Sequence, residues 1–185
     1  MKKIFLNLCV ISFIILAGCV SQRVTTVVGC TYNESKNQTD YFVIPFGSVS
    51  IPGKWDKSNY NSMSGQQFFK NNDSISIAIA FTGYDKYEFN RDGKKKGFDF
   101  VSAYYEWDSK YFVDSYGLNR KVVISDSVNN FILYQLYGTI KGAKFDTYFL
   151  IGEKNGFVKN FSISITNKWA EEAKVQFLKG LYIKE

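Results

Sequence analysis

The chain has 185 residues, of which 45% are hydrophobic and 22% are charged, a length and composition typical of one globular domain. This composition excludes a fully disordered chain. It contains 17 Phe and 13 Tyr but no His. The absence of His excludes Ser-His and Cys-His catalytic pairs and every His-ligated metal site. The sequence therefore calls for no metal and no cofactor.

The N-terminus has the order of a secretory signal: Lys2 and Lys3, then an apolar run over residues 4–16, then small residues. The run is shorter than the roughly 20 residues that a transmembrane helix needs. It ends in the tetrapeptide Leu16-Ala17-Gly18-Cys19. This tetrapeptide resembles the lipobox of bacterial lipoproteins. The resemblance implies a signal peptide over residues 1–18, with Leu16, Ala17 and Gly18 recognised by the signal peptidase. Cys19 would then carry diacylglycerol and an N-linked acyl chain such as palmitate. The alternative is an ordinary secreted protein.

An acylated Cys19 would hold the protein in a membrane of the bacterial cell envelope, since several acyl chains anchor stably where one does not. Val20 rather than Asp follows Cys19. By resemblance to the enterobacterial sorting rule, this favours the outer membrane, facing the periplasm. Cleavage leaves 21 basic and 17 acidic side chains. This small positive excess, in this compartment, argues against nucleic acid as a partner.

Residues 19–40 are polar without a sustained period and are expected to form the lipidated N-terminus and a flexible tether. The folded domain is expected over residues 41–185. Cys30 falls in the predicted tether, with Cys9 removed with the signal and Cys19 acylated. We interpret Cys30 as an unpaired thiol, and the alternative is an intermolecular disulfide or a redox role.

Eight segments are predicted as strands: residues 41–46, 49–52, 66–70, 74–81, 121–126, 131–138, 144–151 and 157–165. In segment 74–81 large apolar residues alternate with Ser76, Ala78 and Ala80, which predicts that both faces are covered. The last four segments are separated by Asn129-Asn130, Lys141-Gly142 and Asn155-Gly156. Such short turns predict an antiparallel meander.

Two helices are predicted beside these strands. Over residues 98–113, bulky side chains recur at helical spacing and include Phe100, Tyr104 and Trp107. A second helix is expected after Asn167 as N-cap, with Gly180 at its end. Helices on an antiparallel sheet define an α+β domain.

The order of these elements resembles the PsbP-like fold. The resemblance covers roughly residues 41–183 and begins with the segment Val49-Ser50-Ile51-Pro52-Gly53-Lys54-Trp55. It implies an antiparallel sheet of about six to seven strands sandwiched by helices. The family includes the extrinsic PsbP protein of photosystem II, the Ran-binding Mog factor and DcrB-type bacterial lipoproteins. Its members act mainly by binding or aiding assembly, which implies a protein that is not an enzyme.

Carboxylates are the remaining candidates for acid–base chemistry. Asp99, Glu106, Asp108 and Asp114 lie on or near the first predicted helix. A carboxylate hydrolase needs two carboxyl groups that face each other across a groove. Nothing in this spacing singles out such a pair, so the sequence assigns no catalytic residue.

The segment from Asn90 to Gly97 concentrates the cations Arg91, Lys94, Lys95 and Lys96 between glycines. One hypothesis is a mobile loop that contacts anionic lipid, lipopolysaccharide phosphate or an acidic partner. The alternative is a solvated connection that keeps the protein soluble.

Two functions from different classes remain open, with a carboxylate hydrolase as a third. The first is a non-enzymatic module that binds or assembles an envelope protein. The alternative is a carbohydrate- or glycolipid-binding lipoprotein that uses exposed aromatic side chains. The high content of aromatic residues is also explained by packing in the core alone. A flat patch would favour the first function, and a cleft lined by Tyr with paired carboxylates would favour the carbohydrate-binding function or the hydrolase.

Overall fold

The computed structural model describes residues 25–184. The predicted signal peptide, the peptidase-recognition residues Leu16, Ala17 and Gly18, and the acylation site Cys19 lie outside the described residues. Within 25–184, no helix has both the length and the apolar character needed to cross a membrane.

Ten strands and two α-helices make up the fold, with two short 3-10 helices at Tyr84–Lys86 and Glu88–Asn90. The elements in chain order are β1 (Val27–Asn33), β2 (Gln38–Ile44), β3 (Gly47–Pro52), β4 (Asp56–Asn61), β5 (Gln66–Lys70), β6 (Ser76–Gly83), α1 (Gly97–Tyr116), β7 (Asn119–Asp126), β8 (Phe131–Ile140), β9 (Ala143–Lys154), β10 (Phe157–Ile163) and α2 (Glu171–Ile183).

The strands form two antiparallel sheets. The small sheet has the order β1-β2-β3, and the large sheet has seven strands in the order β4-β5-β6-β10-β9-β8-β7. The predicted α+β class and the meander of β7 to β10 are confirmed. The pairing of β10 with β6, in which Phe161 lies opposite Ile79, joins the meander to the preceding strands.

Left-handed residues close the turns of the meander, as the sequence predicted. Asn130, Lys141 and Asn155 have φ of +53°, +50° and +55°. Gly142 and Gly156 follow the last two with φ of +83° and +84°. These two pairs meet the requirement of a tight hairpin turn for positive φ at both central residues.

Both faces of the large sheet are covered. On one face, Phe100, Val101 and Tyr104 of α1 pack against β8 and β9. On the other face, Leu178 and Leu181 of α2 share a core with the small sheet. The predicted arrangement of a sheet between helices is therefore observed, with the small sheet added to the layer of α2.

The ordered part of the chain begins earlier than the predicted tether allows, so the prediction of flexibility over residues 27–40 is wrong. β1 and β2 pair along their whole length, from Val27 opposite Ile44 to Asn33 opposite Gln38. Cys30 lies in β1 and packs partly buried against the core, and burial raises the pKa of its thiol. The segment looked polar because the small sheet has only one buried face.

Hydrogen bonds of Thr39 and Trp55 hold the small sheet in place. The Thr39 hydroxyl donates a hydrogen bond to the carbonyl of Gly53 at 2.9 Å and accepts one from the Trp55 amide at 2.9 Å. The Trp55 indole N–H donates to the carbonyl of Pro52 at 2.8 Å. The segment that carries the PsbP-like resemblance is thus a structural connection in this chain.

Three further details differ from the predictions. The exposed edge strand β4 was missed, because its sequence lacks apolar alternation. Helix α2 begins at Glu171 with Ala170 as N-cap, rather than after Asn167. Gly180 lies inside α2, and the helix continues beyond it because Leu181 and Tyr182 are buried.

Lys159 of β10 provides a test of how burial couples stability to pH. Desolvation lowers the pKa of its ammonium group to about 8, with the charge of Lys154 adding to this effect. The unfolded chain keeps this proton up to about pH 10.4. The unfolded state therefore binds more protons between about pH 8 and 10.4, and stability rises with pH in that window.

In K159M this dependence should disappear. Relative to K159M, the wild-type chain should gain on the order of 1 kcal/mol of unfolding free energy between pH 8 and 10, a value reduced for solvent screening of a partly exposed group. Urea unfolding of both proteins across this range measures the difference. Parallel pH profiles would contradict the assigned pKa.

Candidate functional site

The predicted cationic loop is fixed in place rather than mobile. Asn90 is almost fully buried, and its side-chain amide donates to the carbonyls of Tyr84 at 3.1 Å and Lys95 at 3.0 Å. The same side chain accepts a hydrogen bond from the amide of Lys95 at 2.8 Å. The prediction of a flexible backbone is therefore wrong, because one buried side chain joins both ends of the loop.

The four cations of this loop are exposed but do not form one patch. Lys94 forms an ion pair with Asp92 at 3.1 Å, and the ammonium of Lys96 lies 5.8 Å from the ring centre of Tyr84. Lys94 and Lys95 also border a depression that contains Asp99 and Glu106. Arg91 instead lines a separate groove. The positive charge is thus partly neutralised locally.

Lys94 and Lys95 remain the residues to test for contact with an anionic surface. The double variant K94Q/K95Q should keep its stability within about 0.5 kcal/mol, since both side chains are exposed. It should also bind anionic vesicles less tightly at low salt, in a chain that begins at Val20 and so carries neither the predicted signal peptide nor an acyl group. Co-sedimentation at two ionic strengths measures this. Equal binding and equal salt dependence would show that the loop is only a solvated connection.

A groove of about 850 Å³ lies on the α1 side of the large sheet, and we call it the α1 groove. Its floor is formed by Phe68 of β5 and by small or polar side chains of β6, β9 and β10, whereas α1 and the hairpin turn over residues 61–66 form its walls. The small or polar floor residues include Ala80, Thr82, Thr147, Asn160, Ser162 and, just after β10, Ser164.

The sequence of β6 and β10 explains why this space exists. Ala78 and Ala80 of β6 pair with Ser162 and Asn160 of β10, so small residues lie side by side on one face. The opposite face carries the larger Ile77, Ile79 and Phe161, because neighbouring residues point to opposite sides of a strand. The alternation of large and small residues therefore leaves room beneath α1.

Trp107 forms a rigid aromatic wall of the α1 groove. Its indole N–H donates a hydrogen bond to the Glu88 carboxylate at 2.6 Å. Its ring lies 5.6 to 6.0 Å from those of Tyr87, Phe89 and Tyr104. The side chain is nevertheless 38% exposed. A large, pre-ordered aromatic surface at the edge of a groove is a feature of ligand sites.

A polar cluster lies beside this wall. The Tyr134 hydroxyl donates to Asp108 Oδ2 at 2.6 Å, and Asn160 Nδ2 donates to the Tyr104 hydroxyl at 2.7 Å. Asn160 is only 7% exposed, and its Oδ1 atom is buried with no hydrogen-bond partner among the described residues. In this conformation the Oδ1 atom has almost no solvent-accessible surface, and an unpaired buried acceptor costs free energy.

Burial controls the protonation of this cluster. Desolvation raises the pKa of Asp108, and the hydrogen bond from Tyr134 offsets this only in part. Desolvation, followed by the negative charge of Asp108, also raises the pKa of Tyr87 and Tyr104. The two phenols therefore stay neutral at physiological pH and can act as hydrogen-bond donors. Groups with such perturbed pKa values in a groove indicate a functional site.

Sequence reasoning identified some of these residues without placing them in a site. Tyr104 and Trp107 were in the predicted apolar stripe, and Asp108 was one of four helical carboxylates. Trp107 and Asp108 follow Tyr104 by three and four residues, so all three lie on one helix face. This spacing could have predicted that they belong to one site. Asn160 was missed, because its importance depends on which strand faces α1.

No family model and no curated protein matches the sequence. Among solved structures, the chain is similar to a crystal structure from Bacteroides thetaiotaomicron, with 12% identity and a TM-score of 0.40. The match covers 68% of this chain and 40% of that one, so this chain spans less than half of that protein.

The chain is also similar to the solution structure of cyanobacterial PsbP (CyanoP) from Synechocystis, with 9% identity and a TM-score of 0.44. This match covers 90% of this chain and 95% of that chain. The α+β class itself rests on the strands and helices described above.

Proposed function

We propose that this protein is a lipoprotein of the bacterial cell envelope that binds a ligand in the α1 groove and catalyses no reaction. The observation that carries the proposal is the indole of Trp107, which is 38% exposed, is held by a hydrogen bond to Glu88 and lies at the edge of a groove of about 850 Å³. A ligand in the groove would cover this aromatic surface.

The carboxylates of the groove have a role in binding that needs no chemical step. Among the described residues, Glu88 and Asp108 line the α1 groove. Glu88 accepts a hydrogen bond from Trp107, and Asp108 accepts one from Tyr134. These hydrogen bonds hold the aromatic side chains in place, as a preformed binding site requires.

The lipobox-like segment Leu16-Ala17-Gly18-Cys19 supports anchoring in the envelope, and we place the protein in the outer membrane facing the periplasm. Mass spectrometry of the native protein should find an N-terminal peptide that begins with diacylglyceryl-Cys19. Fractionation should recover the protein with outer membranes. A soluble product with a different N-terminus would refute the anchor, and recovery with inner membranes would refute the location.

A photoreactive residue at the rim of the α1 groove tests the binding site. Met63 lines the groove and is 95% exposed, so replacing it by benzoylphenylalanine should not disturb the fold. In irradiated cells, the protein should gain mass from a captured ligand. Val128, which is 89% exposed and does not line the groove, is the matched control position. Equal adducts at both positions would refute a site in the groove.

Binding of an envelope protein at the edge of the small sheet is the second candidate function. β1 is an edge strand, and Val27, Val28 and Ile44 are about half exposed there, at 54%, 51% and 49%. Exposed apolar residues on an edge strand can pair with a second chain. The same photoreactive residue at Val28 distinguishes the two functions, because a protein adduct there with none at Met63 would favour this candidate.

A further inference from the structure

We propose that the ligand of the α1 groove is a saccharide, with a pyranose ring against Trp107 and its hydroxyl groups bonded to Asp108 and to the polar side chains of the floor. This inference rests on the proposed function of the groove and adds the chemical class of the ligand. The argument depends on three features: a fixed aromatic surface, a carboxylate beside it, and a floor of polar side chains.

The aromatic surface fits a sugar ring because it is already ordered before binding. The hydrogen bond to Glu88 and the surrounding rings of Tyr87, Phe89 and Tyr104 hold the Trp107 indole in one orientation. A sugar ring has an apolar face of C–H groups and a polar edge of hydroxyl groups. Trp offers a matching apolar surface, and its pre-ordering lowers the entropic cost of binding.

The polar groups lie close to this surface. Tyr104 connects them, since its ring centre is 5.7 Å from that of Trp107 and its hydroxyl accepts the hydrogen bond from Asn160. Asp108 follows Trp107 in α1 and lines the same groove, and its Oδ2 atom accepts the hydrogen bond from Tyr134. One small ligand in the groove can therefore contact the aromatic wall and this carboxylate together.

Hydroxyl groups suit this floor better than an acyl chain does. Each sugar hydroxyl can donate one hydrogen bond and accept others, so it can donate to Asp108 and accept from a floor hydroxyl such as that of Ser162. An acyl chain would cover the same groups without pairing them, which is unfavourable for buried polar atoms.

The test uses the full acylated chain, purified in lauryldimethylamine oxide, because glycosidic detergents would compete for the site. An array of bacterial and plant oligosaccharides identifies the tightest glycan, and calorimetry measures its affinity. We expect specific binding that W107A weakens at least tenfold and D108N at least fivefold. Y111A is the matched control, since Tyr111 is an exposed aromatic residue of the same helix outside the groove. Its affinity should stay within twofold.

If W107A does not unfold cooperatively, W107F is tested in its place. W107F keeps an aromatic ring and should lose affinity by a smaller factor than W107A. The saccharide assignment fails if the array gives no glycan at millimolar concentration, or if W107A and W107F bind the glycan as the wild type does. Adducts at Met63 that prove to be peptide or acyl chains would refute the saccharide and retain the groove as the site. Absence of adducts specific to Met63 would refute the groove itself.

Discussion

W55A should lower the free energy of unfolding by about 3–5 kcal/mol, the range found when a buried Trp is truncated to Ala. Trp55 is only 3% exposed, and its ring lies 6.4 Å from that of Trp169 and 5.7 Å from that of Phe177. The side chain thus joins the small sheet to α2 and the segment before it. Truncation removes these contacts and leaves a cavity that the surrounding backbone cannot close.

Urea unfolding followed by circular dichroism measures this loss. W55F is the informative companion, because it keeps an aromatic ring and removes the indole hydrogen bond to the Pro52 carbonyl. It should lose about 1–2 kcal/mol. If W55A unfolds within 1 kcal/mol of the wild type, the small sheet does not depend on this residue.

E153A should lower the free energy of unfolding by roughly 2–4 kcal/mol, because two hydrogen bonds to a buried carboxylate are lost. Glu153 is 3% exposed and lies near the end of β9. Its Oε2 atom accepts a hydrogen bond from the amide of Gly97, where α1 begins, and its Oε1 atom accepts one from the amide of Gly156 at 2.6 Å. The carboxylate therefore links the first turn of α1 to the hairpin between β9 and β10.

The matched control is E172A, since Glu172 is an exposed carboxylate in the first turn of α2. It should change stability by less than about 0.5 kcal/mol. E153Q keeps one acceptor oxygen, so its free energy of unfolding should lie between those of E153A and the wild type. Equal stability of E153A and E172A would show that the carboxylate of Glu153 adds nothing to the attachment of α1.

The strands of the meander were predictable because their signals are local. β8, β9 and β10 have apolar runs bounded by Asn, Lys and Gly residues that adopt positive φ, and each such signal lies within a few residues. β1 and β4 were not predictable on the same basis. β4 is exposed along its length, and β1 depends on pairing with β2 and on packing of Cys30 against the core.

The candidate site was only partly predictable. The helical stripe with Tyr104 and Trp107 was evident from spacing, and Asp108 was recognised as a carboxylate of the same helix. The cationic loop was noticed because four cations are close in sequence, but Asn90 and Asp92 determine its shape and its charge. Local charge density therefore drew attention to the loop, whereas the α1 groove is formed by residues that are distant in sequence.

The sequence by itself determined the α+β class, the meander, the mid-chain helix and a lipobox-like N-terminus, because each depends on periodicity or on a short run of residues. Only the tertiary structure decided that Ala80, Asn160 and Trp107 border one groove and that the Asn160 acceptor has no partner among residues 25–184. The reason is physical: these residues come from β6, β10 and α1. Their proximity depends on the register of β6 with β10 and on how α1 packs over the sheet, which local sequence patterns do not specify.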